Sequence, residues 1–132
     1  MTDRSRGVVV VIHSDGKFLW IKRGSETVMP GYWAFPSGGI EDGESPAETA
    51  VREMVEELDI VVRPVRQVWQ CPTEDGKIML EWWLAEIESG EPRAADHEVA
   101  EVRWVIPQEI HLLSPTFVDH VKFVDEVWPS LD

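Results

Sequence analysis

The chain has 132 residues, with 25 acidic and 12 basic side chains and a formal net charge of −13. That length suits one domain with an ordinary core, so residues 1–132 are read as a single domain. The charge argues against a nucleic-acid backbone or an anionic membrane surface as partner, since both require a basic face. The single cysteine, Cys71, rules out an internal disulfide and is expected to be a small buried apolar residue. Val8 to Ile12 is too short an apolar run for a signal-peptide core or a membrane span, so a cytoplasmic protein is expected.

Val8 to His13 is β-branched and apolar, which predicts a buried strand. Ser14-Asp15-Gly16 then predicts a turn, and Lys17 to Lys22 the returning strand. Gly24 to Gly31 is a polar loop containing Pro30, and Trp33 to Phe35 is a short strand ending at Pro36. Ser45, Pro46 and Glu48 form the start of a helix: a cap, a proline at the first position and an acid that completes a capping box. Its core face is Ala47, Ala50, Val51, Met54 and Leu58. Ile60 to Gln70 is β-rich, with Pro64 predicting a bulge or an edge position. Asp75-Gly76 marks a second hairpin, returning through Ile78 to Ile87, and Glu88 to His97 is a polar loop. Val102 to Ile106 is a further short strand. Ser114-Pro115 repeats the cap-plus-proline signal, ahead of a helical stripe of Phe117, Val121, Val124 and Trp128. Hairpins together with a strand–helix–strand crossing predict an α/β fold with a mixed sheet.

The first helix is built against its own electrostatics. Between Glu41 and Asp59 stand eight carboxylates and one cation, Arg52. Glu56 and Glu57 occupy the last turn, where the helix dipole favours cations by roughly 0.3–1 kcal/mol per charge. Glu53, Glu56 and Glu57 share one face at spacings of three and four, where like charges repel. A bound divalent cation compensates all of this, and carboxylate oxygens suit Mg²⁺ or Mn²⁺. The bland alternative is an acidic, solvated helix face. Upstream, Gly38, Gly39 and Gly43 let the backbone bend tightly and approach a ligand.

Taken whole, the spacing is more specific than any of its parts. Gly38 is followed after five residues by Glu44, and Glu44 after seven by Arg52; then come Glu53, Met54, Glu56, Glu57 and Ile60. This resembles the Nudix box, G-x5-E-x7-R-E-U-x-E-E-x-G-U with U a bulky aliphatic residue, except that Asp59 stands where that family has Gly. Asp tolerates the left-handed cap conformation better than most residues, so the substitution is expected to cost some stability and to spare the site. The segment YWAFPSGG, Tyr32 to Gly39, resembles the family's aromatic-x-x-Pro-Gly-Gly lead-in with Ser37 inserted, and HEVAEVRWV, His97 to Val105, resembles its later acidic strand entry.

The resemblance implies an α/β/α sandwich with a central mixed β-sheet, and hydrolysis of a diphosphate linkage in a nucleoside diphosphate-linked small molecule. It implies Mg²⁺ or Mn²⁺ held by Glu53, Glu56 and Glu57, with Arg52 orienting a metal-binding glutamate; a plain ion pair of Arg52 with Glu48 or Glu56 is the competing reading. Glu44 is expected to be structural or to reach metal through water. Gly38 and Gly39 are expected to present backbone to the substrate. Glu53, Glu57, Glu98 and Glu101 are candidate bases, with Glu98 favoured as base or extra ligand against a plain loop carboxylate. Arg23 is a candidate for a terminal phosphate, with a solvated strand end as the alternative. Trp33, Trp82 and Trp83 are candidates to stack on a base, with core packing the alternative for each. Strand alternation sends Trp82 and Trp83 to opposite faces. The histidines lack zinc-ligand spacing. A homodimer fits the family. A catalytically silent nucleotide-binding module of the same fold is the alternative function, although the box acids it would have lost are present. A prenyl-diphosphate isomerase fits less well, since Cys71 before Pro72 does not resemble its reactive cysteine. The spellings expected of dinucleoside-polyphosphate, ADP-ribose and coenzyme A hydrolases are poorly met, which leaves a nucleoside triphosphate or a nucleotide sugar as the expected substrate.

Overall fold

A computed structural model describes residues 5–131; residues 1–4 and 132 lie outside the described residues. The central strand is β1 (Ser5–Ser14), whose Val8, Val9, Val10 and Val11 are fully buried because both faces of the sheet are covered. It turns at Asp15-Gly16 into β2 (Lys17–Arg23), which pairs with β3 (Trp33–Ala34). A further strand, β4 (Ser37–Gly39), lies antiparallel on β1 with Gly7 opposite Gly39 and Val9 opposite Ser37. Helix α1 (Pro46–Leu58) leads to the hairpin of β5 (Val61–Pro72) and β6 (Ile78–Ser89). Strand β6 runs parallel to β1, from Ser5 opposite Ile78 to Ile12 opposite Ala85. Strand β7 (Val99–Val105) returns antiparallel to β2. The sheet order is β3-β2-β1-β6-β5, with β4 added on β1 and β7 on β2, so the sheet is mixed.

Alternation along β1 sorts the core into two layers. Val8, Val10 and Ile12 pack with Ala50, Met54 and Leu58 of α1. Val9 and Val11 face Phe18, Trp20, Phe35, Trp82 and Phe123 beneath the C-terminal helical segment. That segment comprises α2 (Pro107–Ile110) and α3 (Val118–Lys122), the latter widening into a π-helical turn over Phe123–Val127. The fold is therefore the expected α/β/α sandwich. Trp82 and Trp83 do go to opposite layers. No helix among the described residues is long and apolar enough to cross a membrane.

Local expectations fail where backbone partners override side-chain pattern. Ser37–Gly39 shows no strand periodicity, yet it is a strand because β1 offers it a free edge. Ser114-Pro115 does not open a helix: Trp33 N–H donates to Pro115 O at 2.9 Å, and Thr116 Oγ1 donates to Trp33 O at 2.6 Å. Helix α3 starts only after this strip is committed to β3. Cys71 is partly exposed rather than buried, since it ends the edge strand β5. Pro64 does sit at a register shift of that edge strand.

The capping box of α1 forms as expected, with Glu48 N–H donating to Ser45 Oγ at 3.1 Å and Ser45 N–H donating to Glu48 Oε1 at 2.9 Å. At the other end Asp59 is left-handed, with φ 56° and ψ 41°, and Ile60 N–H donates to Met54 O at 3.2 Å. The helix therefore exits with the geometry a glycine would give, and the Asp59 side chain pairs with Arg93 at 3.0 Å on the surface. A left-handed non-glycine residue costs ~1–2 kcal/mol, least for Asn and Asp, and an exposed ion pair returns ~0–1 kcal/mol. Asp59→Gly is expected to unfold in urea within about 0.5 kcal/mol of the parent or above it, whereas Asp59→Val is expected to lose ~1–2 kcal/mol.

Candidate active site

Arg52 is the hub of the acidic helix. Its Nε and Nη2 clasp Glu44 at 2.7 and 3.0 Å, Nη1 reaches Glu53 at 2.8 Å and Glu56 at 3.2 Å, and Nη2 also donates to Gly39 O at 3.0 Å. One guanidinium thus ties α1 to the loop before it and to β4. Glu44 also accepts from Thr49 Oγ1 at 2.7 Å, and these contacts, Arg52 first, hold its carboxyl down at about 2. These bonds support the structural one of the two readings of Glu44, which also lines the site's cavity. Arg52 does orient Glu53 and does pair with Glu56, while Glu48 is taken up by the capping box.

Glu53 lies against Gly38. A Cβ placed on Gly38 would meet the Glu53 carboxyl carbon at 2.2 Å, so only glycine lets β4 and this side chain share the space. One turn on, Glu57 is 4% exposed, and its Oε2 has no hydrogen-bond partner. The carboxylate oxygens of Glu53, Glu57 and Glu98 lie within 4.8 Å of one another. Burial first, then the neighbouring charges of Glu53 and Glu98, drives the Glu57 carboxyl far above its ordinary value. Glu53 is also raised, by burial, with Arg52 pulling the other way.

Glu98 comes from outside the helix. The chain after β6 runs back along the end of α1, where Arg93 N–H donates to Leu58 O at 3.1 Å and Ala95 N–H to Glu57 O at 2.9 Å. These bonds satisfy helix-end carbonyls that have no intrahelical donor. Glu98 then turns in, its N–H bonded to Asp96 Oδ1 at 2.9 Å and its carbonyl accepting from Gly24 N–H at 2.8 Å.

The three carboxylates stand by a cavity of about 900 Å³ lined by β4, the loop before α1, Arg6, Arg23, Glu57 and Glu98. Arg23 faces it, with Nε donating to Val28 O at 2.8 Å; burial lowers the guanidinium pKa, and Glu57 and Glu98 oppose that. The expected residues Glu53, Glu57, Glu98, Arg23, Gly38 and Gly39 are thus brought together. Glu56 is not part of the three-carboxylate group: its exposed side chain sits on the rim, bound to Arg52. Glu101 pairs with Arg103 at 3.0 Å and does not line the cavity. Of the two readings of Trp33, stacking on a base or core packing, its place fits the second: it is 6% exposed, belongs to the opposite core layer, and carries Arg103 at 4.9 Å over its ring. Trp82 is fully buried in that same layer.

The donor set fits a divalent cation of the Mg²⁺ or Mn²⁺ type. All three groups offer carboxylate oxygens, and Glu57 Oε2, buried with no donor beside it, can stay ionised only with a positive neighbour.

The NUDIX domain family model matches residues 1–127. An RNA pyrophosphohydrolase of Mannheimia succiniciproducens is 38% identical over 61 residues, covering 46% of this chain and 29% of that protein. Nudix hydrolase 25 of Arabidopsis thaliana is 32% identical over 108 residues, 62% of each. The chain spans 29% of the length of the first of these relatives and 62% of the second, both less than two thirds. Among solved structures, a MutT NUDIX hydrolase from Burkholderia pseudomallei superimposes with a TM-score of 0.83 at 24% identity, over 96% of this chain and 99% of that one. The NUDIX domain of Shewanella oneidensis NrtR complexed with ADP ribose gives 0.78 at 19% identity, over 100% of this chain and 91% of that one. Both structural likenesses speak to the fold, and the family match spans almost the whole sequence: this chain belongs to the Nudix family.

Proposed function

We propose that this chain is a divalent-metal-dependent pyrophosphohydrolase that cleaves a diphosphate linkage in a small nucleotide, a nucleoside triphosphate or nucleotide sugar in the first place. The observation that carries the reading is the buried Glu57 oxygen without a partner, set between Glu53 and Glu98 beside an open cavity. The alternative, a catalytically silent nucleotide-binding module, gives no reason to keep so costly an arrangement. The relatives named RNA pyrophosphohydrolases and the neighbour holding ADP ribose bring compounds with the same linkage into consideration.

Glu53 and Glu57 would hold Mg²⁺ or Mn²⁺, with Glu98 at the open side and Glu56 within the same helical turn at the rim. Bound there, the cation supplies charge neutralisation for a diphosphate and makes water a better nucleophile. Arg52 keeps Glu53 in place and holds the Gly39 carbonyl, and so fixes the β4 wall. Gly38 and Gly39 carry no side chains, which leaves that wall open to a phosphate chain. Arg23 neutralises a terminal phosphate. Glu98 accepts the proton of the attacking water; the new P–O bond forms as the anhydride P–O bond breaks, and the leaving phosphate takes the electron pair.

The direct test is a panel of nucleoside triphosphates, nucleotide sugars, dinucleoside polyphosphates and 5′-triphosphorylated RNA, incubated with Mg²⁺ or Mn²⁺ and followed by phosphorus NMR. Cleavage at a diphosphate linkage is expected; release of phosphate from monoesters alone contradicts the proposal. Glu57→Gln is expected to lower turnover by more than about 100-fold with the fold intact, since even outer-shell losses around a metal cost roughly 10- to 100-fold. Glu56→Gln is expected to cost less, and equal losses in the two would put Glu56 on the metal.

The raised Glu57 carboxyl makes a second prediction. In the unfolded chain this group has its ordinary value of 4.5, so the folded protein keeps a proton that the unfolded one releases. Metal-free stability should therefore fall as pH rises from 7 to 8.5. His120, buried and lowered to about 3, and Glu44, lowered to about 2, change stability only below this window. Metal needs the deprotonated ligands, so Mn²⁺ should raise the thermal midpoint more at pH 8.5 than at pH 7. Metal-free Glu57→Gln should show a flatter profile, and an unchanged slope in that variant would assign the pH dependence elsewhere.

A further inference from the structure

Two members of the carboxylate cluster ride on one helix, while the third arrives on residues 90–98, a stretch without secondary structure of its own between β6 and β7. Four backbone contacts fix that stretch. Gly90, at φ 96°, passes so close to the exit of α1 that a Cβ there would meet Asp59 O at 2.8 Å. Arg93 and Ala95 donate to the last carbonyls of the helix. The final contact lies just past the end of β2, where Gly24 N–H donates to Glu98 O at 2.8 Å. A Cβ on Gly24 would meet His97 O at 2.0 Å and the Glu98 carbonyl carbon at 3.0 Å, both backbone atoms that cannot rotate away. The preceding residue pair, Lys22 and Arg23, carries a register shift against β7, so the regular β2–β7 ladder is interrupted just before Gly24.

We infer that Gly24 is a positioning residue for the metal-holding cluster: its bare backbone lets the 90–98 strap close against β2, and this closure places the Glu98 carboxylate beside Glu53 and Glu57. The inference rests on the reading of Glu98 as the third member of that cluster. A side chain at position 24 pushes the strap outward by about an ångström at the His97 carbonyl and by less at the Glu98 carbonyl. Glu53 and Glu57 do not move, because Arg52 and the helix hold them. Asp96 is the lesser partner in the same closure, since its Oδ1 accepts from the Glu98 N–H.

The test is Mn²⁺ binding without substrate, followed by the electron-spin resonance signal of free Mn²⁺, in the parent, Gly24→Ala, Glu98→Gln, Asp96→Ala and the two double variants with Glu98→Gln. Gly24→Ala is expected to weaken binding about 10-fold or more, the range found for outer-shell supports of metal ligands. Asp96→Ala is expected to weaken it about 3-fold. Each double variant should bind within about 2-fold of Glu98→Gln alone, because residues that act through Glu98 have nothing left to position once it is gone. Losses that multiply in the double variants show a general structural effect and overturn the inference, as does Gly24→Ala binding within about 2-fold of the parent. If Gly24→Ala does not fold, the Asp96→Ala pair decides by the same criterion. A parent that binds no Mn²⁺ sinks the metal reading itself, and Glu98→Gln binding like the parent removes Glu98 from the cluster.

Discussion

An acidic oxygen buried without a basic partner is the constraint on which the site depends. Glu57 is nearly inaccessible, and the helix end it occupies favours cations. The cation of α1 cannot relieve it, because Arg52 is already shared among Glu44, Glu53, Glu56 and the Gly39 carbonyl. A buried uncompensated carboxylate normally takes up a proton or gains a counter-ion. Here two further carboxylates are brought alongside, which makes ionisation harder without metal and a divalent ion a better fit with it. The chain has thus accepted a local electrostatic deficit beside an open cavity.

The rest of the fold serves to hold this deficit open. The capping box starts α1 in a fixed register, so Glu53 and Glu57 come round on the same side one turn apart. The left-handed Asp59 then ends the helix sharply and turns Ile60 into the core, where it is 1% exposed. That exit leaves the carbonyls of Glu57 and Leu58 for the strap that delivers Glu98. Opposite, β4 is a strand whose glycines leave room for Glu53 on one side and for a ligand on the other. Large aromatic side chains are spent in the other layer, where Trp20, Phe35, Trp82 and Phe123 build a core with ring contacts such as Trp82 on Phe123 at 4.7 Å.

Much of this was legible in the residues. The apolar run of β1, the hairpin turns and the capping box come from local chemistry, and the tertiary structure agrees with each. The pairing of Glu53 with Glu57 follows from helical spacing alone, and the left-handed Asp59 from the place of the box's glycine. Glu98 was reached through resemblance, since no periodicity links it to α1. What stayed hidden depends on contacts between distant backbones. Gly24 reads as an ordinary loop glycine until His97 is seen against it, and Ser37–Gly39 has no side-chain pattern from which a strand could be read. Ser114-Pro115 carries the local signal of a helix start, but β3 claims its backbone first. Glu56 shares the helical spacing of Glu53 and Glu57 yet is drawn to Arg52, and Trp33 is used in the core beneath Arg103.

The most direct test of the central claim is the anomalous difference density of crystals grown with Mn²⁺ and a non-hydrolysable nucleotide. The account predicts a peak within coordination distance of carboxylate oxygens from Glu53, Glu57 and Glu98, with the nucleotide's phosphates beside β4. Density at the rim on Glu56 alone, or no peak near Glu57 at saturating Mn²⁺, would contradict it.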